Sequence, residues 1–140
     1  MLAEDIGLLI KRVQHRHHRG LDSALAPLGV TFIQWNALRE IARNPRTPQR
    51  HLAELTFNSD QAFGTLCTRL ENAGWITRAP GPSRALFLSL TASGEKLRRA
   101  GQRSFTKVIE RSFVALNSKE QAHLHALLAK LSTTHDDVKH

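Results

Sequence analysis

One predicted helix carries an outer face of short hydrogen-bonding side chains. It lies in the stretch FNSDQAFGTLCTRLENAGW, residues 57–75. Its predicted buried stripe has apolar residues spaced four, four and three apart: Ala62, Leu66, Leu70 and Ala73. The opposite face carries Gln61, Thr65, Thr68, Arg69 and Asn72. Short amides and hydroxyls donate and accept hydrogen bonds at close range, so this face is suited to contact another polar surface.

The chemistry of this face fits the base edges in the major groove of DNA. A helix in that groove must bring short donors and acceptors close to the bases. Gln61 can pair with adenine through both amide atoms, and the hydroxyls of Thr65 and Thr68 can donate or accept. Gly64 leaves room for a close backbone approach, and Arg69 is placed to hold a phosphate. The alternative is an ordinary polar surface. The predicted DNA contacts of this helix are Gln61, Gly64, Thr65, Thr68, Arg69 and Asn72.

The composition indicates an anionic partner. The chain of 140 residues has 20 Lys and Arg against 12 Asp and Glu, a net charge of +8, which suits nucleic acid or a membrane surface. No run approaches the roughly 20 apolar residues of a membrane span. The acidic start, Leu-Ala-Glu-Asp after Met1, is unlike a secretory signal, and the single cysteine, Cys67, excludes an internal disulfide framework. We therefore expect a cytoplasmic protein with no membrane partner, built as one domain or one domain with appended helices.

Periodicity and capping residues predict three helices before the polar-faced helix. The first runs from about Ala3 to Leu25, with Gly29 as its C-terminal cap. The second begins after Thr31, which forms a capping box with Gln34.

A short third helix and the polar-faced helix form a predicted helix-turn-helix. Thr47 is the predicted N-cap of the third helix, with Pro48 at its first position. Asn58 or Ser59 caps the polar-faced helix, and Gly74 ends it. The start of the third helix adds further predicted DNA contacts: Thr47, Gln49 and Arg50.

A β-hairpin is predicted directly after the helix-turn-helix. Its strands are residues 75–78 and 85–90, around a Pro/Gly/Ser tip at residues 80–83. Arg78 and Arg84 are predicted DNA contacts at this hairpin. Alternation places three leucines of the second strand on one face: Leu86, Leu88 and Leu90.

Two apolar-striped helices follow the hairpin. Thr91 caps a helix that extends to about Leu116, and Ser118 with Gln121 opens a last helix by a capping box. The tail after Ser132 is polar and predicted to fray. The terminal helices carry more apolar surface than a small core could bury, so we expect them to meet the same helices of a second copy.

The order of elements predicts a mainly α fold with a small β-hairpin wing. A helix-turn-helix followed by a two-stranded wing is a winged helix, here flanked by N- and C-terminal dimerisation helices. The predicted DNA-binding lobe covers residues 30–95. Residues 1–29 and 96–140 form the predicted helical dimerisation region.

Four segments in this order resemble the MarR family of bacterial transcriptional regulators, over essentially the whole chain. They are LGVTFIQWNALREIA, TPQRHLAEL, TRLENAGWITR and RALFLSLTASGEKL. The resemblance implies a homodimer with a recognition helix in each major groove and wings over the minor grooves. It also implies a pocket between lobe and dimer region that takes a small effector.

The chain departs from the family pattern at two places. The family commonly shows arginine near the position of Thr65, so the base contacts here are fewer or softer. Pro82 and Ser83 stand where the family's wing tip has Asp and Arg, which leaves Arg84 alone. Prolines at the tip stiffen it in place of that Asp.

A ligand pocket is expected near the first two helices. Cations and an aromatic residue come together there in a predicted crevice that suits a small aromatic or anionic effector. The predicted pocket residues are Arg16, His17, Trp35 and Arg39.

Other chemistry is weaker in the sequence. His15 and His18 lie one turn apart, but no Cys, Asp or Glu neighbours them, so a basic helix face is favoured over a metal site. Cys67 is read as a small core residue rather than a sensing thiol. No catalytic motif is found, and no metal or cofactor is expected.

The sequence therefore predicts a homodimeric repressor that binds a pseudo-palindromic site on double-stranded DNA and is released by a small effector. The alternative is a DNA-architectural protein without a regulatory ligand.

Overall fold

A computed structural model describes residues 1–133 of the protein. In this described part, six α-helices and one antiparallel hairpin follow each other, which confirms the predicted fold class. They are α1 (Leu2–Leu25), α2 (Phe32–Arg43), α3 (Gln49–Leu55), α4 (Asp60–Asn72), β1 (Ile76–Pro80), β2 (Leu86–Leu90), α5 (Ala92–Ser112) and α6 (Ser118–Thr133). The tail predicted to fray lies outside the described residues except for Thr133. None of the described helices is both long and apolar enough to cross a membrane.

Side-chain caps set the start of three helices as predicted. The Thr31 hydroxyl accepts from the backbone N–H of Gln34, and the Gln34 side chain accepts from the N–H of Thr31, a complete capping box. Ser59 caps α4 and Thr91 caps α5, each by accepting a backbone N–H three residues on. These bonds satisfy backbone donors that have no partner within their helix.

The predicted caps at the end of α1 and at the start of α3 are wrong, although the bounds of α1 are confirmed. Helix α1 ends at Leu25 as predicted, but Gly29 (φ 76°) closes a short 3₁₀ turn after it and does not cap α1 itself. Thr47 does not cap α3; its hydroxyl donates to Pro45 O at 3.4 Å. Pro48 itself is the N-cap, with an extended backbone that forms an isolated β-bridge to Phe87 of the wing. This bridge fixes the wing to the start of α3.

The capping box of α6 also lies one residue earlier than predicted. Asn117 Oδ1 accepts from the backbone N–H of Glu120, and the Glu120 carboxylate accepts from the N–H of Asn117, both at 2.9 Å. Asn117 therefore takes the role expected of Ser118, because its amide oxygen is as good a cap as a hydroxyl.

The main core lies between α2, α3, α4 and the hairpin. The stripe that α4 contributes differs from the predicted one: Phe63, Cys67 and Leu70 are fully buried, whereas Ala62 and Ala73 are exposed. A phenylalanine removes far more apolar area from water than an alanine, so the helix turns Phe63 inward. The hairpin pairs Ile76 with Leu90 through to Pro80 with Leu86, and of the three predicted leucines only Leu88 is buried, Leu90 being half-buried and Leu86 exposed.

Helix α5 runs close against the lobe and against α1. Two of its glycines lie where no side chain fits. A Cβ at Gly94 would come within 2.0 Å of Trp75 O, and one at Gly101 within 2.3 Å of Trp35 Nε1. Trp35 is completely buried, and its indole N–H donates to Arg98 O at 3.1 Å. The close approach therefore locks the direction of α5 relative to α2.

Large apolar side chains of the terminal helices remain exposed. Helix α6 has no buried residue, and the first half of α1 is exposed throughout. Apolar patches of this kind on a single chain indicate a surface that another chain covers. The exposed residues are Leu2, Ile6, Leu8, Leu9 and Ile10 of α1, and Leu127, Leu128 and Leu131 of α6.

Candidate nucleic-acid interface

The outer face of α4 is open to solvent. Five of its six predicted contact residues are exposed, and the sixth, Gly64, is half-buried. The exposed five are Gln61, Thr65, Thr68, Arg69 and Asn72. The core stripe lies on the other side of the helix, where Phe63, Cys67 and Leu70 anchor it to α2, α3 and the hairpin. Helix α4 is thus a rigid element that presents amides, hydroxyls and one cation outward.

Both threonine hydroxyls of this face bond back to the helix. Thr65 Oγ1 donates to Gln61 O and Thr68 Oγ1 donates to Gly64 O, each at 3.1 Å. Bonds to the carbonyl four residues earlier are common for threonine in helices. They hold the hydroxyl protons at the helix and leave the lone pairs of the oxygens to accept hydrogen bonds.

Arg78 of β1 reaches back onto α4. Its Nη2 donates to Thr68 Oγ1 at 2.8 Å and to Glu71 Oε1 at 3.1 Å. The Arg78 side chain is 18% exposed. The predicted DNA contact Arg78 is therefore engaged by the protein itself, and Glu71 is a site residue that the sequence reasoning missed.

Gly64 faces α3 rather than open space. A Cβ at this position would lie 3.5 Å from Gln49 Nε2, an ordinary van der Waals contact. Gln49 Oε1 is buried and has no hydrogen-bond partner among residues 1–133. The predicted contacts Gly64 and Gln49 thus meet each other where α3 and α4 cross.

The wing tip and the start of α3 enclose a small cavity of about 210 Å³. It brings together three predicted contacts, Gln49, Arg50 and Arg84, and adds Asp60, which the sequence reasoning missed. Arg84 is exposed, and both it and Ser83 have positive φ (62° and 59°). Two cations beside an exposed helix face are an arrangement that can hold a phosphate group.

The four predicted pocket residues separate into two places. Trp35 is buried and Arg39 stacks its guanidinium over the Phe105 ring, 4.5 Å from the ring centroid. Arg16 and His17 instead line a cavity of about 730 Å³ between α1 and the end of α5. Within residues 1–133, the four predicted residues therefore lie at two separate places.

Ser112 organises the cavity between α1 and α5. Arg16 Nη2 donates to Ser112 Oγ at 3.2 Å, and His17 Nε2 forms a short hydrogen bond with the same oxygen. Burial, with a smaller effect from the Arg16 charge, lowers the pKa of His17. His17 is therefore neutral at neutral pH, and Arg16 supplies the positive charge of the pair.

The remaining predicted groups are structural. Contrary to the sequence-based expectation, an acidic residue does neighbour the histidine pair: His18 Nε2 lies 3.4 Å from Asp22 Oδ2, one turn further along α1. The described residues nevertheless contain no cluster of three or more His, Cys, Asp or Glu that could hold a metal ion. Cys67 is completely buried, and burial raises the pKa of its thiol to about 11. The thiol is protonated in the core, as expected for a residue that only fills space.

Known proteins share this architecture. The family model described as MarR family matches residues 28–85. The HTH-type transcriptional repressor Rv2887 of Mycobacterium tuberculosis (strain H37Rv) is 29% identical over 136 residues, which cover 94% of this chain and 98% of that protein. The transcriptional regulator HosA of Escherichia coli O111:H- is 30% identical over 104 residues, covering 73% of this chain and 77% of HosA.

Solved structures with the same fold include ligand-bound forms. A mutant MarR from E. coli complexed with operator DNA has a TM-score of 0.84 and 25% identity, covering 91% of this chain and 93% of that one. M. tuberculosis Rv2887 in complex with salicylic acid has a TM-score of 0.71 and 28% identity, covering 89% and 94%.

Proposed function

Since the chain belongs to the MarR family, we propose that it is a transcriptional repressor that binds double-stranded DNA as a homodimer in the cytoplasm. The observation that carries this proposal is the exposed face of α4, where amides and hydroxyls replace the usual charged residues. Its relative Rv2887 is named a transcriptional repressor, and the similar E. coli MarR is bound to operator DNA.

Helix α4 is the proposed reading element and the wing the proposed anchor. Gln61, Thr65 and Thr68 present donors, acceptors and methyl groups that match base edges in the major groove. Three arginines supply positive charge for contacts with the phosphate backbone: Arg69 on α4, and Arg50 and Arg84, which line the cavity at the wing tip. The proposed contacts are Gln49, Arg50, Gln61, Thr65, Thr68, Arg69, Asn72 and Arg84.

The proposed dimer uses the helices outside the lobe. Residues 30–95 form the proposed DNA-binding lobe, and residues 1–29 and 96–140 the proposed dimerisation region. The support is the apolar surface that α1 and α6 leave exposed.

A two-fold dimer predicts a pseudo-palindromic operator. Selection of bound duplexes from a random pool should yield two half-sites about 10 bp apart, centre to centre, because each protomer places one α4 in successive turns of the major groove. A single asymmetric half-site would contradict the dimeric arrangement. Broad, salt-sensitive binding without a preferred sequence would favour the architectural alternative.

We further propose that a small aromatic carboxylate binds in the cavity beside Ser112. Rv2887 has been captured with salicylic acid and with p-aminosalicylic acid, and a volume of about 730 Å³ is in the range of small-molecule sites. Arg16 can pair with a carboxylate when it leaves Ser112, while neutral His17 keeps a hydrogen-bonding group beside it. Binding releases the repressor only if the ligand prefers the form that does not fit DNA.

This proposal predicts a selective effect of Arg16→Gln. Loss of the charged donor should weaken salicylate binding by tenfold or more, as for a charge-assisted hydrogen bond of about 1.5–3 kcal/mol. Calorimetric titration with salicylate measures it, and gel-shift experiments with and without salicylate test release from DNA. Arg39→Gln is the matched control, because it removes the cation beside Phe105. If only Arg39→Gln lost salicylate binding, the ligand site would lie beside Trp35 and Phe105 and not beside Ser112.

A further inference from the structure

Arg78 and Glu71 hold one hydroxyl of the proposed reading face in a fixed orientation. Arg78 comes from β1, and its Nη2 lies between Thr68 Oγ1 (2.8 Å) and Glu71 Oε1 (3.1 Å). Thr68 and Glu71 are three residues apart on α4, so they lie on the same side of the helix. With 18% of its side chain exposed, Arg78 is packed along the helix rather than extended into solvent.

The hydroxyl of Thr68 can form only one further hydrogen bond toward the outside of the helix. A hydroxyl has one proton and two lone pairs. The proton is donated to Gly64 O at 3.1 Å, and one lone pair accepts from Arg78. Turning the proton outward would place a lone pair against the carbonyl oxygen of Gly64. The group that faces outward is therefore a lone pair, which accepts hydrogen bonds and does not donate them.

Thr65 lacks this constraint. Its hydroxyl donates to Gln61 O at 3.1 Å, and no donor among residues 1–133 is hydrogen-bonded to its oxygen. It can rotate to donate to a base at the cost of one helix bond. The two threonines of the face thus differ in chemistry although their residue type is the same.

We propose that Arg78 is a positioning residue that fixes Thr68 as an acceptor toward the base it faces. The inference rests on the proposed function of α4 as the reading helix. Major-groove donors are N6 of adenine and N4 of cytosine, so Thr68 selects one of these at its position and disfavours guanine and thymine. The Glu71 carboxylate neutralises Arg78 beside the groove, and Arg78 therefore releases no net counterion when DNA binds.

The first test compares base discrimination in Thr68→Val, Arg78→Met and the double variant. Thr68→Val keeps the side-chain shape and identifies the operator position that the hydroxyl reads. At that position Arg78→Met should reduce the preference for adenine or cytosine on the order of fivefold, as for one hydrogen bond. The double variant should lose no more than Thr68→Val alone, because both changes remove one coupled interaction.

The second test is the salt dependence of binding on cognate and scrambled duplexes. Arg78→Met should leave the slope of log K against log salt unchanged. Arg84→Ala, the positive control, should make it shallower by about one unit. Glu71→Gln keeps the fold and the shape but leaves Arg78 uncompensated, so the slope should become steeper by about one unit. If Arg78→Met does not fold, the salt slope of Glu71→Gln tests whether Glu71 neutralises Arg78.

With a sequence-selective wild type, two outcomes overturn this inference alone. A slope that becomes shallower by about one unit in Arg78→Met on both duplexes would make Arg78 a phosphate contact. Unchanged base discrimination in a folded Arg78→Met would show that Thr68 is not fixed by it. A wild type that selects no sequence would overturn the proposed function and this inference together, whereas a selective wild type separates them.

Discussion

A Leu128→Asp variant is expected to run as a monomer and to lose between a hundredfold and ten-thousandfold in operator affinity. Leu128 lies on the apolar face of α6 and is 41% exposed in the single chain. A carboxylate buried without a partner in the proposed dimer interface costs several kcal/mol. Loss of the dimer also removes the gain from binding two half-sites at once.

Sedimentation equilibrium and operator titration check this expectation. Ala126→Asp is the matched control, since it adds the same charge to the opposite face of α6 and should stay dimeric. A wild type that is a folded monomer at micromolar concentration would contradict the proposed dimer. Equal losses in both variants would place the interface elsewhere.

Gly101→Ala is expected to destabilise the fold by about 3 kcal/mol, at the upper end for overpacked cores. The added methyl would lie 2.3 Å from Nε1 of the fully buried Trp35. Either α5 moves away from α2 or the indole leaves its bond to Arg98 O. Urea unfolding followed by tryptophan fluorescence measures the change in free energy of unfolding.

Ala100→Ser provides the control for Gly101→Ala. Its exposed position on the same helix should keep the change within about 0.5 kcal/mol. A loss below 1 kcal/mol in Gly101→Ala would mean that the crossing of α2 and α5 adjusts easily, contrary to the packing described above.

Local chemistry can be predicted from the sequence where one side chain decides the outcome. The capping box of Thr31 and Gln34 and the caps at Ser59 and Thr91 need only residues within one turn. Pro48 shows the limit, because its bridge to Phe87 depends on a strand almost 40 residues away. Because Pro48 pairs with this distant strand, α3 begins one residue later than the sequence predicts.

The two faces of α4 were predicted with unequal success. The polar residues are exposed as expected, but the buried series is Phe63, Cys67 and Leu70 rather than the alanine-containing one. Both series fit a helical period, and only the volume of the surrounding core distinguishes them.

The role of Arg78 could not be predicted from its charge. Its partners Thr68 and Glu71 are ten and seven residues away, and they meet it only because β1 returns along α4. The predicted pocket of Arg16, His17 and Trp35 fails for the same reason. Arg16 and His17 contact Ser112 at the end of α5, whereas Trp35 stacks on Phe105, seven residues earlier on that helix.

Helix α5 has 21 residues and ends at Ser112, in the cavity proposed to bind the effector. At its other end the hydroxyl of its cap, Thr91, also donates to Gly74 O, just after the end of α4. A helix of this length spans about 31 Å. If a helix of this length tilts by about 6° about one end, its other end moves by about 3 Å. That distance is nearly the rise of one base pair. Because α5 is packed tightly against the lobe, a tilt of α5 caused by a ligand beside Ser112 would move α4 by about one base-pair step along the groove.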